Sequence, residues 1–185
     1  MLAEPERQCL LVAARTAIES AVIGRRAPPP SSDVPALMIP AGAFVTLHKS
    51  HELRGCIGYL DAKKPLIETV HDAAVKSAVE DPRFPPVTTD ELGDIYIEIS
   101  VLSPMTAIRS AAEIVAGIHG LVVEFQDHRG LLLPQVAAEF GWDAETLLQQ
   151  TIRKAGLLPG VMQEKDLRLF VFTAEVFGEH RIALA

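Results

Sequence analysis

"GAFVTLHKSHELRGCIGYL", residues 42–60, decides how the chain is read. Apolar and polar residues alternate on either side of a short polar stretch, which predicts strands over 43–48 and 52–59 joined by a turn at Lys49–His51. A strand's period of two puts Glu52, Arg54, Cys56 and Gly58 on one face and Leu53, Gly55, Ile57 and Tyr59 on the other. Glycine inside a strand costs stability, and it marks a bulge or a place where something approaches the backbone closely. With Arg54 and Cys56 as same-face neighbours about 7 Å apart, the guanidinium favours the thiolate wherever water is partly excluded. Two readings of Cys56 stand side by side: a reactive thiol on a shallow floor of backbone, or a small apolar filler. Cys9 lies on a helical stripe with Leu10, Val12 and Ala13 and reads as structural.

Working outward, residues 5–23 carry apolar side chains at three- and four-residue intervals and predict an amphipathic helix ending near Gly24. The proline- and serine-rich stretch 24–35 predicts an extended surface connection. Pro65 opens a second helix with an apolar stripe from Leu66 to Ala78, stopped by Pro82, Pro85 and Pro86. "DIYIEISVLSP", residues 94–104, alternates cleanly, with Ile95, Ile97, Ile99 and Val101 facing one way and Tyr96, Glu98 and Ser100 the other. Ser110 with Glu113 forms a capping box for a short helix ending at Gly117. A hairpin with its turn at Asp127–Gly130 follows, then "PQVAAEFGW", then a helix capped by Asp143 and closed at Gly156, and one last strand, "LRLFVFTAEVF". Neighbouring hairpins with helices between the pairs favour an α+β fold with a mainly antiparallel sheet flanked by helices.

Composition sets the outer limits. At 185 residues, 49% hydrophobic and 22% charged, the chain has the make-up of one ordinary globular domain. A net charge of -7 without a Lys/Arg cluster removes the electrostatic drive for non-specific nucleic-acid binding. The acidic N-terminus does not look like a secretory signal, and no apolar run is long enough to cross a membrane, so a cytoplasmic protein is expected. Two cysteines make no disulfide framework. The six histidines His48, His51, His71, His119, His128 and His180 show no ligand spacing, so neither a metal nor a cofactor is expected. Trp142, the single tryptophan, reads as a packing anchor.

"EDPRFPP", residues 80–86, is the second unusual stretch, because Asp81 and Arg83 are held on a stiff loop directly after a helix. The pair either binds an anion or bonds to itself.

Taken in order, "FVTLHKSHELRGCIGYL", "EDPRFPPVTTDEL", "IEISVLSP", "GIHGLVVE", "LLLPQVAAE" and "KAGL" resemble the successive motifs of the AMMECR domain family over nearly the whole chain. The resemblance implies a single AMMECR-type domain with a smaller subdomain within about 105–160, and a cleft between two subdomains with "LRGCIG" at its floor. Its motif residues fall on Leu53–Gly58 and on Asp81, Pro82, Arg83 and Phe84. It also implies association with a Memo-type protein and a radical SAM protein, the AmmeMemoRadiSam set, while implying no particular reaction. Relatives often carry a cysteine just before "RKAGL"; this chain has Ile152, so Cys56 has no second thiol there to work with.

Three functions are expected to compete. In one, Arg54 and Arg83 hold a small anionic ligand, the amides around Gly55 and Gly58 complete the cradle with Asp81 alongside, and Cys56 acts as nucleophile or acid. In another the chain is a non-catalytic adaptor for the Memo-type and radical SAM partners. In the third both motifs are architectural, with Arg54 bonded to Asp81 to lock the subdomains together.

Overall fold

The computed structural model describes residues 1–25, 27–28, 30–61 and 63–179. In chain order the elements are α1 (Glu4–Val22), α2 (Pro35–Met38), β1 (Ala43–Lys49), β2 (Glu52–Tyr59), α3 (Leu66–Val79), β3 (Ile95–Leu102), β4 (Thr106–Ile108), β5 (Gly120–Phe125), β6 (His128–Leu132), α4 (Pro134–Phe140), α5 (Ala144–Lys154), β7 (Arg168–Phe172) and β8 (Ala174–Gly178). The strands form two four-stranded antiparallel sheets, ordered β2-β1-β3-β8 and β4-β7-β5-β6, so the fold is α+β. Two compact units result, one built from Met1–Leu102 with the chain from Glu175 onward, the other from Ser103–Ala174.

The first unit is a sheet with α1 and α3 on one face. Alternation turns Ala43, Val45 and Leu47 of β1 and Ile95, Ile97 and Ile99 of β3 into a core that also holds Leu10, Ala14 and Ile18 of α1 and Ile67, Val70 and Ala74 of α3. The β1–β2 turn places Ser50 and His51 at φ 51° and 70°, the paired left-handed conformations that a two-residue hairpin with the strands' own twist requires. Arg7 and Arg15 of α1 reach across to Glu175 and Glu179 and fasten the returning chain beside β3.

In the second unit α5 lays Leu147, Leu148 and Ile152 against Leu121, Val123 and Leu169. Asp143 caps α5 by accepting from the Thr146 amide at 2.8 Å. The hairpin turn lies at Gln126–Asp127 rather than 127–130, and Gly130 belongs to β6. The helix explains why, since a side chain at Gly130 would meet the Thr151 carbonyl at 2.5 Å and Ala155 at 2.6 Å. The capping box at Ser110 initiates just a single 3-10 turn, Ala111–Glu113, and the chain is extended again by Ile114.

"LRLFVFTAEVF" is two strands in two sheets instead of one. It divides at Thr173, whose amide donates to Ser103 Oγ and whose carbonyl accepts from the Ser103 amide, both at 2.9 Å. Among the described residues no helix is long and apolar enough to cross a membrane.

Candidate functional site

The strand that carries Cys56 departs from simple alternation. The β1–β2 register runs Thr46↔Cys56 and Leu47↔Gly55 and then shifts, so that His48 faces Leu53 and Arg54 is an extra, bulged residue. This corrects the expectation that Arg54 and Cys56 share a face. Arg54 donates from Nε and Nη2 to the two carboxylate oxygens of Glu91, at 3.0 and 2.9 Å, and from Nη1 to the Pro85 carbonyl at 3.0 Å. Lys49 reaches the same carboxylate at 3.0 Å. The Glu91 carboxyl is held far below the usual range, chiefly by Arg54 and further by the Thr88 amide and Lys49. Arg54 is therefore bonded to Glu91 and not to Asp81, which overturns the proposed Arg54–Asp81 lock; the side chain is 12% exposed.

Asp81 and Arg83 meet Cys56 from the other direction. Strand β2 is an edge of its sheet, and the amide and carbonyl of Cys56 point away from β1. Asp81 Oδ2 accepts from the Cys56 amide at 2.8 Å, and Arg83 Nη2 donates to the Cys56 carbonyl at 3.1 Å. The loop thus satisfies the edge at this residue much as a neighbouring strand would. The two side chains also bond to each other, with Arg83 Nε on Oδ1 at 2.9 Å and Nη2 on Oδ2 at 2.7 Å. Arg83 in this bidentate grip, with the amides of Cys56 and Arg83 helping, holds the buried Asp81 carboxyl at about 2 against the opposing effect of burial. Arg83 is pushed upward in turn, mainly by Asp81 and to a lesser degree by the Cys56 thiol.

Cys56 is half-buried, and Thr46 on the paired strand donates its hydroxyl toward Sγ at 3.4 Å. Register aligns Cys56, Thr46 and Glu98 in one row across β2, β1 and β3, and His48 with Tyr96 in a parallel row, so the polar residues of β3 share the sheet face of Cys56. Both glycines are filled from within. A side chain at Gly55 would meet the Ser77 carbonyl of α3 at 2.2 Å, and one at Gly58 would meet the Phe44 ring at 2.4 Å. At Gly55 the close approach read from the sequence is made by a helix of the same chain.

Sequence comparison points the same way over almost the full length. The AMMECR1 family model matches residues 11–177. The chain belongs to the AMMECR1 family. A member from Methanothermobacter thermautotrophicus is 44% identical over 185 residues, covering 96% of each chain. One from Thermococcus onnurineus is 46% identical over 177 residues, or 90% of this chain and 86% of that one. The crystal structure of an uncharacterized AMMECR1-family protein from Pyrococcus horikoshii is similar at 42% identity with a TM-score of 0.87, covering 92% of this chain and 90% of that one.

Within this AMMECR1 chain the structure brings Cys56, Asp81 and Arg83 together and sends Arg54 elsewhere. Three contributors escape a reading of motifs. Glu91 is signalled by the capping box Thr88–Glu91, which is visible in the sequence. Ser77, polar on an apolar helix stripe, accepts from the Ile57 amide and donates to the Val45 carbonyl. Thr46 carries no sequence signal, because its role comes from strand register. His180 lies outside the described residues.

Proposed function

We propose that the corner formed by Cys56, Asp81 and Arg83 handles a compact anionic ligand, with the thiol as nucleophile or proton donor. The observation that carries this reading is the division of labour in the Asp81–Arg83 pair: the carboxylate is 2% exposed and the guanidinium 53%. Buried Asp81 fixes the cation, while the cation keeps an open side next to a half-buried thiol. A guanidinium fixed beside a thiol favours the thiolate and attracts an anionic partner to it. Thr46 supplies a second donor toward the sulfur.

Alkylation of Cys56 followed against pH tests the reading, with peptide mapping to separate Cys56 from Cys9. Wild type should react with a midpoint below that of an ordinary thiol, and Arg83→Ala should move it up. An inert Cys56, or a midpoint indifferent to Arg83, defeats the proposal.

A second reading is favoured by a separate observation. Phe140 is 63% exposed and stacked on Trp142 at 5.1 Å, the kind of rigid aromatic pair that anchors protein interfaces. In this reading the chain is an adaptor for a Memo-type and a radical SAM partner. Co-purification with both partners, lost in Phe140→Ala and retained in Cys56→Ser, is its expected outcome; no association in wild type removes it.

A further inference from the structure

A hollow of about 640 Å³ opens in the second unit beside β4. Its floor is made by Ile108, Leu148, Leu167 and Leu169, where the core thins: Leu148 and Leu169 are 6% and 8% exposed, against 0% for Leu147 and Ile152 behind them. Arg109 and Lys165 line the same hollow. Many other cations of the described residues are paired, among them Arg7, Arg15, Lys49, Arg54, Lys64, Lys76, Arg83, Arg129 and Arg168. Arg109 and Lys165, by contrast, have no ion-pair partner among the described residues. The nearby Glu113 carboxylate is occupied, accepting from the backbone amides of Arg109 and Ser110 at 2.7 and 3.1 Å. Glu164 is the single acid in the lining, so two cations face one anion on a chain whose net charge is -7.

We propose that this hollow is a binding site for a small amphipathic carboxylate, a monoanion with an aliphatic body. Its volume falls in the range of small-molecule sites, and its two halves make opposite demands on a ligand. A compact polar anion leaves the leucine floor wet. A neutral hydrocarbon leaves both cations without a counter-charge, and an aliphatic cation is repelled by them. A carboxylate head on an aliphatic tail satisfies floor and rim together. The site shares no residue with the Cys56 corner.

Titration of the full-length protein with octanoate, followed by calorimetry and by backbone amide shifts, tests the assignment, with acetate and octylammonium as paired controls. Octanoate should bind and move the amides of Ile108–Ala111 and Met162–Leu169, with acetate and octylammonium at least about tenfold weaker, one decade being 1.4 kcal/mol. Arg109→Glu combined with Lys165→Glu, both exposed positions, should weaken octanoate by a similar factor and strengthen octylammonium, with an unchanged circular dichroism spectrum. Equal binding of octanoate and octylammonium overturns the proposal, as do octanoate binding indifferent to the charge reversal and an absence of octanoate binding below its aggregation limit.

Discussion

Two carboxylates beside β2, Glu91 and Asp81, each grip an arginine, and they expose opposite amounts of it. At Glu91 both partners are withdrawn, the carboxylate 16% exposed and Arg54 12%, with Lys49 closing the cluster. At Asp81 the carboxylate is buried at 2% while Arg83 stands 53% open. The difference teaches that a motif arginine can be a staple or a presented charge, and that the burial of its whole environment separates the two roles. A closed ion-pair cluster fixes a loop, whereas a buried anion under an open cation aims that cation outward.

The contrast can be broken at several points, with effects that should fall in the following order. Asp81→Ala removes the acceptor for the Cys56 amide and leaves Arg83 unsupported at the strand edge; equilibrium denaturation should show a loss of about 3 kcal/mol. Arg54→Ala leaves Glu91 with the Thr88 amide and a single cation, Lys49, which should cost about 2 kcal/mol and leave the pH midpoint of Cys56 alkylation where it was. A shifted midpoint there would erase the distinction between the two arginines.

Acid titration sharpens the comparison. The Asp81 carboxyl has its native value depressed to about 2 from an unfolded value near 3.8, so the native state binds fewer protons than the unfolded chain between those limits. Its contribution is present in full above about pH 4 and is lost as pH falls through about 2, on the order of 2 kcal/mol. Glu91, depressed even further, loses its contribution at still lower pH. Stability measured in wild type and Asp81→Asn over this range should converge as the pH drops, and parallel curves would contradict the assignment. Arg83→Ala should have the smallest effect on stability, about 1 kcal/mol, because half of the side chain is already in water. Its larger signature is expected in the reactivity of Cys56.

Much of this architecture was legible in the residues. Alternation identified β1, β2 and β3, the Leu66–Ala78 stripe identified α3, and Asp143 announced α5. What escaped has a common physical origin in long-range pairing. Counting by twos along "ELRGCIGY" cannot register an added residue, because the bulge at Arg54 exists only relative to β1. Likewise "LRLFVFTAEVF" reads as one strand, since the exchange of partners at Thr173 depends on Ser103, far away in sequence. Strand β4 is too short to show periodicity. Of the candidate site, the pairing of Asp81 with Arg83 was among the readings open from sequence, but its attachment to the backbone of Cys56 required the sheet edge to be seen.

In sequence the second unit is inserted between β3 and β8 of the first, and this sets the order in which the protein can be finished. A ribosome delivers Ser103–Ala174 as one continuous stretch, so that unit has all of its chain before the other does. The first sheet can pair β3 with β1 early, but the other edge of β3 stays open until the carboxyl-terminal segment emerges and Arg7 and Arg15 can seize Glu175 and Glu179. A nascent chain held with Ala174 just clear of the ribosome should therefore hold a protease-resistant inner portion, Ser103–Ala174, while the outer edge of Ile95–Leu102 is still free to bind a chaperone.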